Sequence, residues 1–183
     1  MDAMTVLPHG REFTRDDLDA MPHDGNRYEL IDGLLIVTPA PGFRHQVVVL
    51  ELAVRLRTAC PEGLQVVTAP FDVALGPGTV LQPDVLVARR ADFTERDLPV
   101  APLLAVEVLS PSTRLYDLNH KRARLERAGC TSYWVVDPDT PAVTAWTLID
   151  GAYQQVAHAE AHETFETTTP FPVSLRPADL IGS

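Results

Sequence analysis

Lysine is almost missing from this 183-residue chain: Lys121 stands alone, and the other fourteen cationic positions are all arginine. Cysteine is scarce as well. Cys60 and Cys130 end separate helix-like segments and match no metal-ligand spacing, so they read as reduced structural thiols. No apolar run approaches the roughly 18 to 20 residues that span a bilayer. The N-terminus also lacks a basic segment followed by an apolar stretch. The expected location is therefore cytoplasmic, with no membrane partner. Positive charge is in deficit: the formal net charge of −10 argues against a protein that coats nucleic acid nonspecifically, since neutralising phosphates needs Lys and Arg.

What remains is ordinary for one soluble domain with a core of its own, at 45% hydrophobic and 22% charged residues. The charge is uneven, however. Between Gly129 and Leu175 there are six acidic residues and no basic ones, whereas Arg114 to Ala128 carries Arg114, Lys121, Arg122, Arg124 and Arg127 against Asp117 and Glu126. That local surplus could meet a phosphate backbone, or be an ordinary solvated helix face.

Along the chain, Thr14 with Asp17 three residues on predicts a capping box opening a short helix. Asp32-Gly33 between two apolar runs predicts a hairpin over Arg27 to Thr38. Val48, Val49, Leu52 and Leu56 recur at helical spacing from His45 to about Ala59, with Pro61 and Gly63 beyond. Leu64 to Leu75 and Thr79 to Ala88 read as two strands of a second hairpin around Gly76-Pro77-Gly78. A strand from Leu103 feeds, through Ser110-Pro111-Ser112-Thr113, a helix from about Arg114 to Ala128 that Gly129 closes. Tyr133 to Pro138 follows as a buried strand, then Ala142 to Ile149 and Ala152 to Ala157 around Asp150-Gly151. Strand, helix, strand implies a locally parallel pair. The expected fold class is mixed α/β, a central mixed sheet with a helix on each face. The tail after Ala159 reads as a loose extension ending in one short ordered piece.

Glu107 interrupts Leu103-Leu104-Ala105-Val106-Glu107-Val108-Leu109, a run apolar on both faces, where an ionised carboxylate costs several kcal/mol unless something compensates. It falls near the strand's C-terminal end, where ligand crevices open in such sheets. Asp84, after Gln82-Pro83, reaches the same place if the two strands are neighbours. Two carboxylates, a backbone carbonyl assigned to Val108 and waters would hold Mg²⁺ or Mn²⁺, and oxygen ligands alone disfavour zinc. The plainer reading leaves Asp84 at a surface strand start and pairs Glu107 with a buried arginine. Lys121 lies about 60° from Leu118 and about 40° from Leu125 on a helical wheel, at the margin of the sheet-facing side. There its ammonium could orient an attacking water and offset charge in a phosphoryl transition state. Its plainer role is an i, i+4 pair with Asp117.

Tyr28-Glu29-Leu30-Ile31-Asp32-Gly33, His45 at a helix start, Gln82-Pro83-Asp84, Glu107 to Thr113, Asp117, Lys121 and Tyr133 to Pro138, in that order, resemble the Uma2 family of restriction-endonuclease-like proteins. The resemblance covers about Arg27 to Ala157. It is similar in turn to the PD-(D/E)XK nucleases, which implies an αβββαβ core, here with an extra N-terminal hairpin and C-terminal strands. It also implies Mg²⁺-dependent (or Mn²⁺-dependent) hydrolysis of phosphodiester bonds in DNA. Asp84 then matches the aspartate of the Pro-Asp element and Glu107 the acidic residue of the next strand. Leu109 stands where the superfamily has lysine, and the family shifts that role to a helix lysine, here Lys121. Glu29 and His45 match family positions: Glu29 as a further acidic group or a strand-edge salt bridge, His45 as a catalytic or a helix-start histidine. Ser110 binds a phosphate or begins the turn, and Tyr133 and Trp134 are sheet core. The expected layout is an N-terminal helical extension over 1–26, the nuclease-like domain over 27–158 and a C-terminal extension over 159–183. A homodimer is expected from exposed strand edges and a two-stranded substrate. A catalytically degenerate binding module is the alternative, favoured by the acidic balance and by Leu109.

Overall fold

A computed structural model of the chain describes residues 5–7, 10–110 and 117–182. Among the described residues, fourteen strands fall into two six-stranded sheets and a two-stranded ribbon. The first sheet has the order β1-β3-β2-β6-β5-β8, formed by β1 (Thr5–Leu7), β2 (Arg27–Ile31), β3 (Leu34–Thr38), β5 (Asp72–Gly76), β6 (Thr79–Leu81) and β8 (Asp97–Leu98). The second has the order β12-β11-β10-β9-β7-β4. Its members are β4 (Leu64–Thr68), β7 (Val85–Arg89), β9 (Leu104–Val108), β10 (Ser132–Asp137), β11 (Ala142–Ile149) and β12 (Ala152–Glu160). Each sheet is mixed, with parallel pairing of β5 to β8 in one and of β9 to β10 in the other. The class is the expected mixed α/β, but two sheets replace the single central one.

Proline explains the division. The two long strands expected over 64–75 and 79–88 are each cut in half, at Ala69-Pro70, which is cis, and at Gln82-Pro83-Asp84. Lacking an N–H, proline cannot carry a ladder forward. The inner halves β5 and β6 pair in the first sheet, while the outer halves β4 and β7 pair in the second. This excursion is one of several crossings between the sheets, and it leaves Asp84 at a point where the chain passes from one to the other.

Local signals are met where a turn or cap dictates them. Thr14 and Asp17 form the capping box of α1 (Arg15–Asp19). Asp32 and Gly33 both take positive φ, 51° and 77°, as a tight hairpin turn needs. Helix α2 (Phe43–Ala59) buries Val48, Val49, Leu52 and Leu56 against Val85, Val87, Leu104, Val106 and Trp134. On the other face of β9, Leu125 packs with Ala105, Tyr133 and Val135. It belongs to α3 (Arg122–Ala128), closed by Gly129 at φ 85°. The helix expected from Arg114 differs in its first turn: Asp117–Lys121 is a π-helical turn running into α3. Residues 111–116, which include the Pro111-Ser112-Thr113 turn and Arg114, lie outside the described residues.

The tail is not the loose extension the sequence suggested. β13 (Phe165–Thr167) pairs with β14 (Val173–Leu175), and Phe165, Phe171, Val173, Leu175 and Leu180 join the α2 core. The Phe165 ring meets Trp134 edge-on at 5.1 Å. Its alternating apolar residues have a sheet and a tryptophan to cover, which binds them in place of solvent. No helix among the described residues is long and apolar enough to cross a membrane.

Candidate active site

Alternation along β9 sends Leu104, Val106 and Val108 into the α2 core, so Glu107 shares the opposite face with Ala105, the face covered by α3. The antiparallel ladder of β7 and β9 pairs Val85 with Val106, which brings Asp84, just before β7, and Glu107 of β9 to the same end of the ladder. Asp84 is tightly held. Its Oδ1 accepts from the Arg27 guanidinium at 2.7 Å, its Oδ2 accepts from the Val108 N–H at 2.8 Å, and His45 Nε2 lies 3.1 Å from the same Oδ2.

Lys121 brings in the rest. Its Nζ lies 3.3 Å from both Glu107 carboxylate oxygens and 3.0 Å from Oε1 of Glu29, which also accepts the Gln82 N–H at 2.7 Å. Arg27 Nε closes the circuit at 3.6 Å from Glu29 Oε2. Three carboxylates, Glu29, Asp84 and Glu107, therefore surround two fixed cations, Arg27 and Lys121. The carboxylate side chains are 1%, 3% and 0% exposed and the lysine 1%. Unpaired, each of these charges would cost several kcal/mol of lost solvation.

The electrostatics follow from this packing. Burial alone would raise the Asp84 carboxyl, but the His45 hydrogen bond and the charges of Arg27, His45 and Lys121 outweigh it and hold Asp84 well below the usual carboxylate range. Burial would likewise lower the Arg27 guanidinium, yet Glu29, Asp84 and Glu107 together push it above its ordinary value. Asp84 and Arg27 thus both stay charged. A carboxylate only accepts, so His45 donates to Asp84 through Nε2, and its Nδ1 is buried with no partner among the described residues.

The sequence-predicted residues converge. Asp84, Glu107, Lys121, Glu29 and His45 form one cluster drawn from both sheets, α2 and the π-helical turn. Glu29 is not a strand-edge residue: β2 is interior to its sheet, and the carboxylate is buried against Lys121. Lys121 is buried, with its ammonium against Glu29 and Glu107. Val108 reaches the cluster through its N–H. Ser110 is half-buried two residues past it. Tyr133 and Trp134 are fully buried core. Of the basic residues described in the Lys121 segment, Lys121 is buried, Arg122 lies over the Trp146 ring and Arg124 pairs with Asp32, while Arg127 is exposed.

Arg27 is the member that sequence reasoning overlooked. It lies two residues from Glu29 on one strand, hence on the same face, and that spacing was its available signal. Overlooked too was a cavity of about 680 Å³ that opens onto Arg27, His45 and Asp84 and is walled by Leu18, Met21 and Tyr28. Glu29, Glu107 and Lys121 lie behind this floor.

The donor set suits a hard divalent cation: carboxylate oxygens on adjacent strands, in a cluster whose acids outnumber its fixed cations by one. Among the described residues, no group of three or more acidic, His or Cys side chains already stands as a metal cage. In the arrangement seen, the Asp84 and Glu107 oxygens are engaged by Arg27, His45, Val108 and Lys121.

The Uma2 family model, described as "Putative restriction endonuclease", matches residues 15–179. The match takes in α1 and the β13–β14 ribbon, beyond the span the motifs indicated. Among solved structures, the crystal structure of "a putative nuclease belonging to DUF820" from Anabaena variabilis is similar, with a TM-score of 0.71 over 92% of this chain and 97% of that one. At 17% identity that likeness concerns the fold. No curated protein matches the chain.

Proposed function

This chain belongs to the Uma2 family, and from that premise we propose that it is an Mg²⁺- or Mn²⁺-dependent endonuclease hydrolysing phosphodiester bonds in DNA. The observation that carries the reading is the convergence of Asp84, Glu107 and Lys121, distant in sequence, within one buried cluster. Asp84 and Glu107 would hold the cation, joined by the Val108 carbonyl. When bound, it would supply charge stabilisation and a more acidic water.

The chain's own groups do the positioning. Arg27 and His45 fix the two Asp84 oxygens, so the carboxylate presents one orientation. Glu29 anchors the Lys121 ammonium beside Glu107. From there Lys121 orients a water for in-line attack and offsets charge building on the phosphoryl oxygens. Pairing to Arg27 and His45 also keeps Asp84 ionised, the form a cation requires. Ser110, past the end of β9, is a candidate hydrogen-bond donor to the scissile phosphate. A homodimer would place two such sites in one assembly.

Asp84→Asn and Glu107→Gln should each abolish Mg²⁺-dependent cleavage of single-stranded DNA with the fold retained, and Lys121→Met should reduce it at least a hundredfold. Unchanged cleavage by either carboxamide variant would refute the assignment. The alternative, a catalytically degenerate scaffold, is favoured by one observation, the full engagement of Asp84 by internal partners. It predicts no cleavage by the wild type in either metal.

A further inference from the structure

The cavity over Asp84 says what form of nucleic acid can reach it. Gripping a duplex takes several Lys or Arg contacts to phosphates. The described residues lining this cavity include one such side chain, Arg27, and it is committed to Asp84 and Glu29. Asp19 and Asp72 stand at the lining, Asp19 paired with Arg15 and Arg96 and Asp72 with Arg15 and Gln82. The segment that offered a basic surplus has spent Lys121, Arg122 and Arg124 on internal contacts. The described lining of the cavity therefore offers a duplex backbone no uncommitted Lys or Arg.

The interior has the opposite character. At about 680 Å³ it has the size of pockets that enclose one small organic ligand. Leu18, Met21, Tyr28 and Val49 give it apolar walls, and the side-chain amides of Asn26 and Gln46, among its lining residues, carry the paired donors and acceptors that read base edges. Tyr28 is tethered by its hydroxyl, which donates to Asp24 at 2.8 Å. At the floor, beside Asp84, the buried Nδ1 of His45 has no partner among the described residues. Apolar walls with a few polar groups above an acid suit an extruded base with its phosphodiester at the floor.

We propose that the cavity receives one unpaired nucleotide of a strand, so that the substrate class is single-stranded or locally unpaired nucleic acid and not continuous duplex. This rests on the hydrolytic reading for its chemistry, while the binding it predicts is separate. The residues before Arg27 then have a function, since α1 and the following turn form one wall.

The test uses the whole wild-type chain with three labelled probes: a short single strand, the same strand in perfect duplex, and that duplex with one unpaired nucleotide. Binding is read by fluorescence anisotropy with Ca²⁺ present and cleavage with Mg²⁺. Two cavity-filling variants, Met21→Trp and Ala40→Trp, each with an unchanged melting temperature, accompany it; Ala40 is an exposed lining residue, so its variant should fold. Expected is at least tenfold tighter binding of both unpaired probes than of duplex, and loss of that preference in the filled variants. Binding with this preference but without cleavage supports the cavity assignment and sinks the hydrolytic reading. Equal cleavage of duplex and single strand, indifferent to both tryptophans, sinks the cavity assignment and leaves hydrolysis standing. Deoxyadenosine monophosphate binding as tightly as the strand overturns it too, in favour of a free-nucleotide pocket, and no binding of any probe overturns both.

Discussion

Lys121→Met replaces the buried ammonium with an uncharged side chain of similar length. The wild-type Nζ sits among three carboxylate oxygens, 3.0 Å from one of Glu29 and 3.3 Å from two of Glu107, with all three residues essentially out of solvent. Breaking a buried ion pair from one side costs about 3–5 kcal/mol because the partner charge stays behind. Glu29 is partly protected, since the Gln82 N–H still donates to it at 2.7 Å and Arg27 remains at 3.6 Å. The loss therefore falls mainly on Glu107, and the lower end, about 3 kcal/mol, is expected. In a chain of this length that lowers the melting temperature by about 6–12 °C. The deficit should depend on pH with a defined sign. A buried carboxyl deprived of its cation has a folded pKa above its unfolded value, so its neutral form is tolerated at low pH and the folded state loses ground as pH rises from the unfolded value up to the raised one. The variant should thus lie closest to wild type near about pH 5 and fall away toward about pH 8. Adding Glu107→Gln should restore at least half of the loss, the signature of coupled neighbours. A melting temperature within about 2 °C of wild type at every pH would show that the ammonium is not held between these acids.

Three further outcomes follow from the same coordinates. Phe165→Ala, which empties the space beside Trp134, should lower stability by about 3–5 kcal/mol in urea melts; a near-zero change would return the tail to a loose extension. Gly129→Ala meets no neighbouring atom but must hold φ at 85°, so it should cost about 1–2 kcal/mol from backbone strain alone, and a neutral result would remove the left-handed cap at the end of α3. Asp84 is held below its unfolded pKa, so the stability it contributes is present above about pH 4 and is lost as pH falls through the folded value. The gap in urea midpoint between wild type and Asp84→Asn should therefore narrow on acidification from about pH 5 to about pH 3, and a gap that widens would contradict the pairing with Arg27 and His45.

Much of this arrangement was legible in the chain because it rests on local chemistry. Thr14 with Asp17, Asp32-Gly33 and Gly129 are fixed by cap and turn geometry, and each stands where residue type required it. Glu107 was conspicuous because a lone carboxylate in an all-apolar strand demands compensation; a metal ion or a buried arginine was the expected source, and Lys121 is the partner found. The errors came where a long-range choice decided. Continuous β-propensity over 64–75 and 79–88 does not say that Pro70 and Pro83 will hand each half to a different sheet. The apolar residues from Phe165 onward needed Trp134 and the α2 core to become tertiary structure. Arg27 escaped notice because its pairing with Asp84 crosses 57 residues and two sheets. Nothing in the local sequence names that partner, although sharing a strand face with Glu29 marked it as inward.

The central claim, that Asp84 and Glu107 form one site for a hard cation served by Lys121, is tested most directly by titrating the whole chain with Mn²⁺ and following the free ion by electron paramagnetic resonance. One saturable ion per chain is predicted, displaced by Mg²⁺ and lost in both Asp84→Asn and Glu107→Gln. No saturable binding, or binding that survives both substitutions, would contradict it.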